Sequence, residues 1–320
     1  MTNDEQQRTP IEPDEDLDNQ SEADSAFEEV APSLASLTSS VLAYQEENGR
    51  RYHALSRGKY ALPNDDVESE RLDLQHEVFV RTFDGELAMC PKKDGAKRVL
   101  DLGTGTGVWA IDYADAHPEA EVVGVDLSPI QPSFVPPNCS FEIDDLEKEW
   151  TWSVPFDFIF GRAMLGSFAD FPEIVQKAYD QLEPGGYLEL QELSLPCRCD
   201  DDTLPEDSFL AQWCNNIITA AANQGRPVWP ANEYKKHLEQ AGFEEVVEKQ
   251  HRWPINPWPR DHKYKELGLW TLVNIGDGLE GLTVAHCTRG LGWSHEETLV
   301  FCSKVRKDIR NTRIHAYFPM

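Results

Sequence analysis

RVLDLGTGTGVWA, residues 98–110, is the stretch on which the reading of this chain turns. It starts as a short apolar run, Val99-Leu100 with Leu102, which reads as a buried strand. It then steps through Gly103, Gly105 and Gly107 and continues with Val108, Trp109 and Ala110 into a helical pattern that stops before Pro118. Glycines are needed where a strand turns tightly into a helix and the backbone must approach a ligand. Dinucleotide-binding sheets use G-x-G-x-x-G at this place, and here the third glycine slot is Val108, so that match fails at one position. Asp101, two residues before Gly103, lies at the strand end, where a carboxylate accepts hydrogen bonds from an ammonium group, directly or through water.

Working outward, strands and helices alternate in the manner of a parallel α/β sheet. EVVGVDLS (121–128) reads as the second strand, and the Pro-rich loop 129–138 leads to the third, CSFEIDD (139–145). FDFIFGR (156–162) is the fourth. A helix from Pro172 to Leu182 is ended by Pro184, Gly185 and Gly186, and YLELQEL (187–193) is the fifth strand. Helices are expected within 206–224 and 231–241, a sixth strand over FEEVVEKQHRW (243–253), and mainly helix over 260–313. On the N-terminal side, Leu34, Leu37, Val41 and Tyr44 are spaced for one face of a helix that Gly49 would stop. A second helix is expected from Glu68 to Leu87, with Leu72, Val78, Phe79 and Phe83 on its apolar side.

Open α/β sheets bind ligands beyond the carboxyl ends of their strands, and three further strand ends carry acidic or basic residues. Asp126 follows Asp101 by 25 residues and ends the second strand. A carboxylate there accepts hydrogen bonds from both ribose hydroxyls of an adenosine, which points to adenosine more than to any one cofactor. Asp144 and Asp145 end the third strand, and Asp145 is the candidate to read an adenine amino group. Gly161-Arg162 ends the fourth; Arg162 either pairs with a carboxylate of cofactor or substrate or lies outward in a surface ion pair.

Composition bounds the function. The 320 residues carry 29 Lys and Arg against 57 Asp and Glu, a net charge of −28, which disfavours nucleic acid and anionic lipid. One basic run, Lys304, Arg306, Lys307, Arg310 and Arg313, is either a solvated helix face or a docking face for an acidic partner. No apolar run is long enough for a membrane span, and the first residues have neither the basic nor the apolar part of a secretory signal. A location in cytoplasm or nucleus is expected. The seven cysteines are scattered without C-x-x-C spacing and the nine histidines without H-E-x-x-H, so reduced thiols and no metal are expected. Residues 1–35 are rich in Asp, Glu, Ser and Pro and read as a disordered acidic tail. An N-terminal helical lid is expected over 36–95 and the main domain over 96–320, with a helical insertion at 255–313.

Taken in order, VLDLGTGTGVWA, VVGVDLS, FEIDDLEKEW, FDFIFGRAMLGSF and LEPGGYLELQE resemble the successive motifs of class I, seven-stranded S-adenosylmethionine-dependent methyltransferases. GRRYHAL (49–55), YALPNDDVESERLDLQH (60–76), LGLW (267–270), LGWSHEETLVF (291–301) and IHAYFP (314–319) resemble more narrowly the fungal LaeA-like methyltransferases, a family tied to secondary metabolism. The resemblance runs from about Ser33 to the end of the chain. It implies a Rossmann-like α/β fold, strand order 3-2-1-4-5-7-6 counted from the strand at residue 98, and S-adenosyl-L-methionine as cofactor. Asp101, Gly103, Gly105 and Gly107 would surround the methionine portion. Asp126 and Leu127 would hold the ribose, Asp144, Asp145 and Leu146 would face adenine, and Arg162 would sit near the methionine end. Tyr52, with Gln75 or His76, would fold over the pocket or simply pack helix on sheet. In this family a last antiparallel strand normally follows the HAYFP segment. Here the chain stops at Met320, so that strand is expected to be missing or supplied from elsewhere.

Methyl transfer from a sulfonium asks mainly for alignment and exclusion of water, and the sequence assigns no catalytic residue. Glu189, Glu192, His286 and His295 are candidates for an acid–base role or ordinary polar residues. Trp253, Trp258, Trp270 and Trp293 either wall an apolar substrate or fill the helical core. Two functions stay open: an enzyme methylating a small secondary metabolite, or a regulator in a complex, methylating a protein or binding cofactor alone, with another methyltransferase or regulator as partner. An NAD-linked oxidoreductase is the weaker alternative, disfavoured by Val108.

Overall fold

The computed structural model describes residues 43–320, which fold as one compact unit. The expected acidic tail and the start of the expected 34–48 helix lie outside the described residues. Within them, that helix is replaced by a hairpin, β1 (Gln45–Glu47) and β2 (Arg50–Tyr52), paired antiparallel. Asn48 and Gly49 make the turn at φ 52° and 74°. Asn-Gly between two strands suits a two-residue turn in which both φ are positive, so Gly49, expected to stop a helix, is half of a hairpin corner. The next helix, α1 (Asp66–Thr82), starts where the Asp65 side chain accepts from the Glu68 N–H and ends five residues before the expected Leu87.

The sheet follows. β3 (Arg98–Leu102) leads into α2 (Val108–Ala116), then β4 (Glu121–Asp126), β5 (Cys139–Ile143), β6 (Phe156–Arg162), α3 (Phe171–Gln181) and β7 (Leu182–Gln191). These five strands are all parallel, in the order β5-β4-β3-β6-β7, which is the expected order as far as the fifth strand. β6 is buried over Phe156–Gly161 because helices cover both sides of it. On one face Phe158 and Phe160 meet Trp109 and Tyr113 of α2, with the Trp109 and Phe160 rings stacked 3.7 Å apart. On the other, Ile159 joins Leu100 and Leu102 against Phe171, Ile174 and Ala178 of α3.

The remainder is β8 (Arg198–Cys199), α4 (Phe209–Asn223), α5 (Ala231–Ala241), β9 (Arg252–Pro254), α6 (His262–Ala285), a π-helical turn (His286–Leu291), α7 (His295–Arg310) and β10 (Ala316–Pro319). Two expectations are corrected here. Residues 243–251 form no strand: Glu245 turns at φ 53°, Val247 is 76% exposed, and of the apolar side chains Phe243 alone packs back on the core, against Tyr179. Only 252–254 of it is extended. The last strand is also present, because AYFP itself is that strand. β10 pairs antiparallel between β8 and β9 in a separate three-stranded sheet. A hydrogen bond from the Ser194 N–H to the Pro319 carbonyl links it to the chain just past β7. No helix among the described residues is long and apolar enough to cross a membrane.

Candidate functional site

Beyond the carboxyl ends of β3, β4, β5 and β6 lies a cleft of about 1220 Å³, its open mouth included. Its floor is the turn after β3. Gly103 takes φ 64°, and a Cβ there would stand 2.6 Å from the Met164 methyl carbon; Gly103 and Gly105 both line the cleft. Gly107 does not. It caps α2 at φ 81°, where a Cβ would fall 2.4 Å from the Phe141 ring, so the third glycine serves helix-to-strand packing rather than ligand contact.

Asp101 lines the cleft at 3% exposure and accepts one hydrogen bond, from Thr104 Oγ1 at 2.6 Å. Burial pushes its carboxyl up to about 7, against the opposing pull of Thr104 and of the positive Arg162 nearby. Asp126 ends β4 and accepts from the Gly105 and Ser128 N–H groups, each at 2.9 Å. Burial raises it to about 6 despite those two donors. Leu127 and Leu146 line the same space.

Asp145 is placed differently from the expectation. Its carboxylate accepts from Ser56 Oγ and Lys59 Nζ, both at 2.6 Å, and from the Glu147 N–H at 3.1 Å. These partners hold it ionised, below the usual carboxylate range although burial opposes them. Its oxygens are committed to the loop above, whereas Asp144 is exposed at the cleft lip. Of the pair, Asp144 is the one whose carboxylate is open to the cleft.

Arg162 faces inward, which removes the surface alternative. Its Nε donates to Gln191 Oε1 at 2.8 Å, its Nη1 to His76 Nδ1 at 3.0 Å and its Nη2 to the Leu87 carbonyl at 3.3 Å. The rings of Phe79 and Phe160 lie 4.6 and 5.1 Å from its guanidinium carbon. Burial lowers it to about 9. Gln75 and His76 line the cleft from α1, but Tyr52 does not. Tyr52 is 1% exposed, with Arg289 over its ring at 4.6 Å, and the residue of this segment that lines the cleft is its neighbour His53. The His53 Nε2–H donates to the Ser56 carbonyl, and its buried Nδ1 has no hydrogen-bond partner among the described residues. Burial lowers its pKa, so the ring is neutral at neutral pH.

The acid–base candidates fall outside the cleft. The Glu189 carboxylate accepts from the Met89 and Cys90 N–H groups and from Gln191, so it anchors the chain before β3. Glu192 is 7% exposed and raised to about 8 by burial, beside Tyr234. His286 is buried in the π turn and pushed down to about 4, while His295 is the first residue of α7. Trp253 donates to Thr82 Oγ1 in the core and Trp258 to the Ala316 carbonyl; Trp270 lies under Arg81 and Trp293 against Phe301. These tryptophans are packing. Among the described residues no group of three His, Cys, Asp or Glu is arranged to hold a metal.

What the sequence reading missed is the ionic latch across the cleft. Lys59 bridges Asp145 and Glu147 at 2.6 and 2.9 Å, and Arg226 reaches Glu147 at 2.6 Å. Lys59 falls between the quoted motifs at 49–55 and 60–76, and Arg226, just past a helix end, gave no local signal.

Residues 74–249 match the methyltransferase domain family. The chain is 42% identical over 287 residues to the methyltransferase pytC of Aspergillus terreus, covering 89% of each chain. It is 40% identical over 280 residues to the secondary metabolism regulator LAE1 of Cochliobolus heterostrophus, covering 85% of this chain and 91% of that one. With the secondary metabolism regulator laeA of Aspergillus flavus it shares 35% identity over 290 residues, 89% of this chain and 78% of the relative.

Proposed function

The chain belongs to the methyltransferase domain family, in its LaeA-like branch, and on that premise we propose that it transfers a methyl group from S-adenosyl-L-methionine in fungal secondary metabolism. The observation that carries the cofactor reading is a cleft with complementary ends. One end has a glycine floor with Asp101 and Arg162, an acid and a base that would suit the ammonium and carboxylate of an amino acid. Further along, Asp126 and then Asp144 stand where ribose hydroxyls and an adenine amino group would lie. Bound there, the cofactor supplies a methyl group already activated on a sulfonium. The protein's part is then to orient and to keep water out. Asp101 in its ionised form and Arg162 would fix the amino-acid end, Asp126 and Leu127 the ribose, and the loop carrying His53, Lys59 and Tyr60 would close the mouth through the Lys59–Asp145 contact.

Calorimetry on the full chain tests this. S-adenosylmethionine and S-adenosylhomocysteine should both bind, and Asp126→Ala should weaken binding by about 1.5–3 kcal/mol, as for hydrogen bonds that involve a buried charge. Absence of heat with either ligand would remove the cofactor reading, and an unchanged affinity in the variant would put the ribose elsewhere.

The regulators among the relatives favour a second reading, in which the chain acts in cytoplasm or nucleus within a complex, on a protein or through cofactor binding alone. Metabolite profiling of a deletion strain beside an Asp126→Ala strain separates the two. Loss of one methylated compound supports the small-molecule enzyme, and a shift across many pathways supports the regulator.

A further inference from the structure

The most elaborate hydrogen-bonded arrangement at the cleft surrounds Arg162, and it extends beyond the residues that would touch a ligand. A guanidinium has N–H donors and no acceptor. The 3.0 Å contact between Arg162 Nη1 and His76 Nδ1 therefore requires an unprotonated Nδ1. The proton of the neutral ring then sits on Nε2, and this nitrogen donates to Asp112 Oδ2 at 3.0 Å. Asp112, on α2, thus holds His76, on α1, in the one tautomer that can accept from Arg162, on β6.

Three contacts, to Gln191, His76 and Leu87, orient the guanidinium plane while using three of its five N–H groups. Phe79 and Phe160 limit its movement. Asp101 lies near enough to influence it electrostatically, yet among the described residues no ion pair joins the two. An acid and a base held side by side without neutralising each other form a receptor for a zwitterion, the acid for its ammonium and the base for its carboxylate.

Resting on the cofactor reading above, we propose that His76, pinned by Asp112, is a positioning residue that aims the free donors of Arg162 at the cofactor carboxylate, so that the His76–Arg162 pair sets selectivity for a carboxylate-bearing sulfonium ligand. Both ring nitrogens of His76, which lines the cleft, are engaged, one by Asp112 and the other by Arg162. His76 acts through the guanidinium.

The test compares S-adenosylmethionine with decarboxylated S-adenosylmethionine, which keeps the adenosine, the sulfonium and the ammonium and lacks only the carboxylate. Affinities for both are measured by calorimetry on the full chain. The wild-type protein should prefer the carboxylated ligand. His76→Phe should weaken S-adenosylmethionine about tenfold, the effect of misdirecting one charge-assisted contact, and leave the decarboxylated ligand unchanged. His76→Asn, whose side-chain oxygen can stand in for Nδ1, should restore most of the preference. Asp112→Ala, at a half-exposed side chain, should move the ratio in the same direction by about threefold and decides the matter if His76→Phe does not fold. A parallel loss for both ligands would mean that His76 only packs α1 against the sheet, and an unmoved ratio would mean that Arg162 needs no aiming; either overturns the proposal alone. A wild-type chain that binds neither ligand overturns the cofactor reading and the proposal together.

Discussion

The two walls of the cleft are built on opposite principles. On the sheet side, Asp101, Asp126 and Arg162 stand at strand tips with hydrogen-bonding capacity left over, and burial pushes both carboxyls upward. On the cover side, formed by the hairpin, the following loop, α1 and Arg226, the charges are matched to one another: Arg50 with Asp65, Arg71 with Glu68, Lys59 with Asp145 and Glu147, Arg226 with Glu147, Arg289 with Glu47. A wall that receives a ligand must carry groups that the protein itself has not satisfied, and it does so at some cost in stability. A wall that closes over the ligand needs only to hold its own position, and paired charges do that.

This contrast can be broken at three places. The largest effect should come from Gly107→Ala, which belongs to neither wall. A left-handed alanine and a methyl pressed on the Phe141 ring should together cost about 3 kcal/mol of folding stability, read by denaturant unfolding. A change below about 1 kcal/mol would mean that the turn has slack and that the glycine is there for the ligand after all.

Next comes Asp101→Asn. The folded-state pKa of Asp101 is raised, so the ionised form is penalised in the fold. That penalty is absent below the unfolded value of 3.8, grows as pH rises and is complete above about 7. The asparagine variant should therefore melt higher than wild type at pH 8, and the two should converge toward pH 4. It should also bind S-adenosylhomocysteine more weakly, by about 1–2 kcal/mol at pH 8. Wild-type affinity should climb between pH 6 and 7.5 as the carboxylate forms, with proton release seen as a buffer-dependent heat. A variant melting no higher than wild type at pH 8 would show that Asp101 is already satisfied inside the protein, and the contrast between the walls would fail on that side.

The smallest effect is expected of Lys59→Met. Lys59 is about a third exposed, so its contacts with Asp145 and Glu147 are screened, and stability should fall by no more than about 1 kcal/mol. The ligand's dissociation rate should rise by a few-fold as the cover loosens. A loss of affinity as large as that of Asp126→Ala would give the cover a direct part in binding.

The two walls also differ in how far they could be read in advance. The strand tips were legible because their signals are local: a buried apolar run, a glycine turn and an acid within a few residues of each other. The cover was not, because its contacts are distant in the chain. Lys59 and Asp145 are 86 positions apart, and Arg226 and Glu147 are 79 apart. Tyr52 was chosen and its neighbour His53 overlooked because consecutive residues of an extended segment point to opposite sides. Which side faced the cleft depended on where the hairpin was docked. The candidates Glu189 and Glu192 failed for a related reason. Their place at the end of β7 is right, but their oxygens face the chain before β3 and the Tyr234 side of the core.

From sequence alone followed the alternation that makes five parallel strands and the acids and glycines at their tips, since short-range patterning and the rule that ligands meet strand carboxyl ends suffice for these, while the strand order came with the family resemblance. Tertiary packing decided the rest. It placed β10 in a small second sheet between β8 and β9, turned Asp145 toward Lys59, and set His76 between Asp112 and Arg162. Each of those outcomes depends on which partner lies closest in space, and the partner comes from a part of the chain that local pattern does not reach.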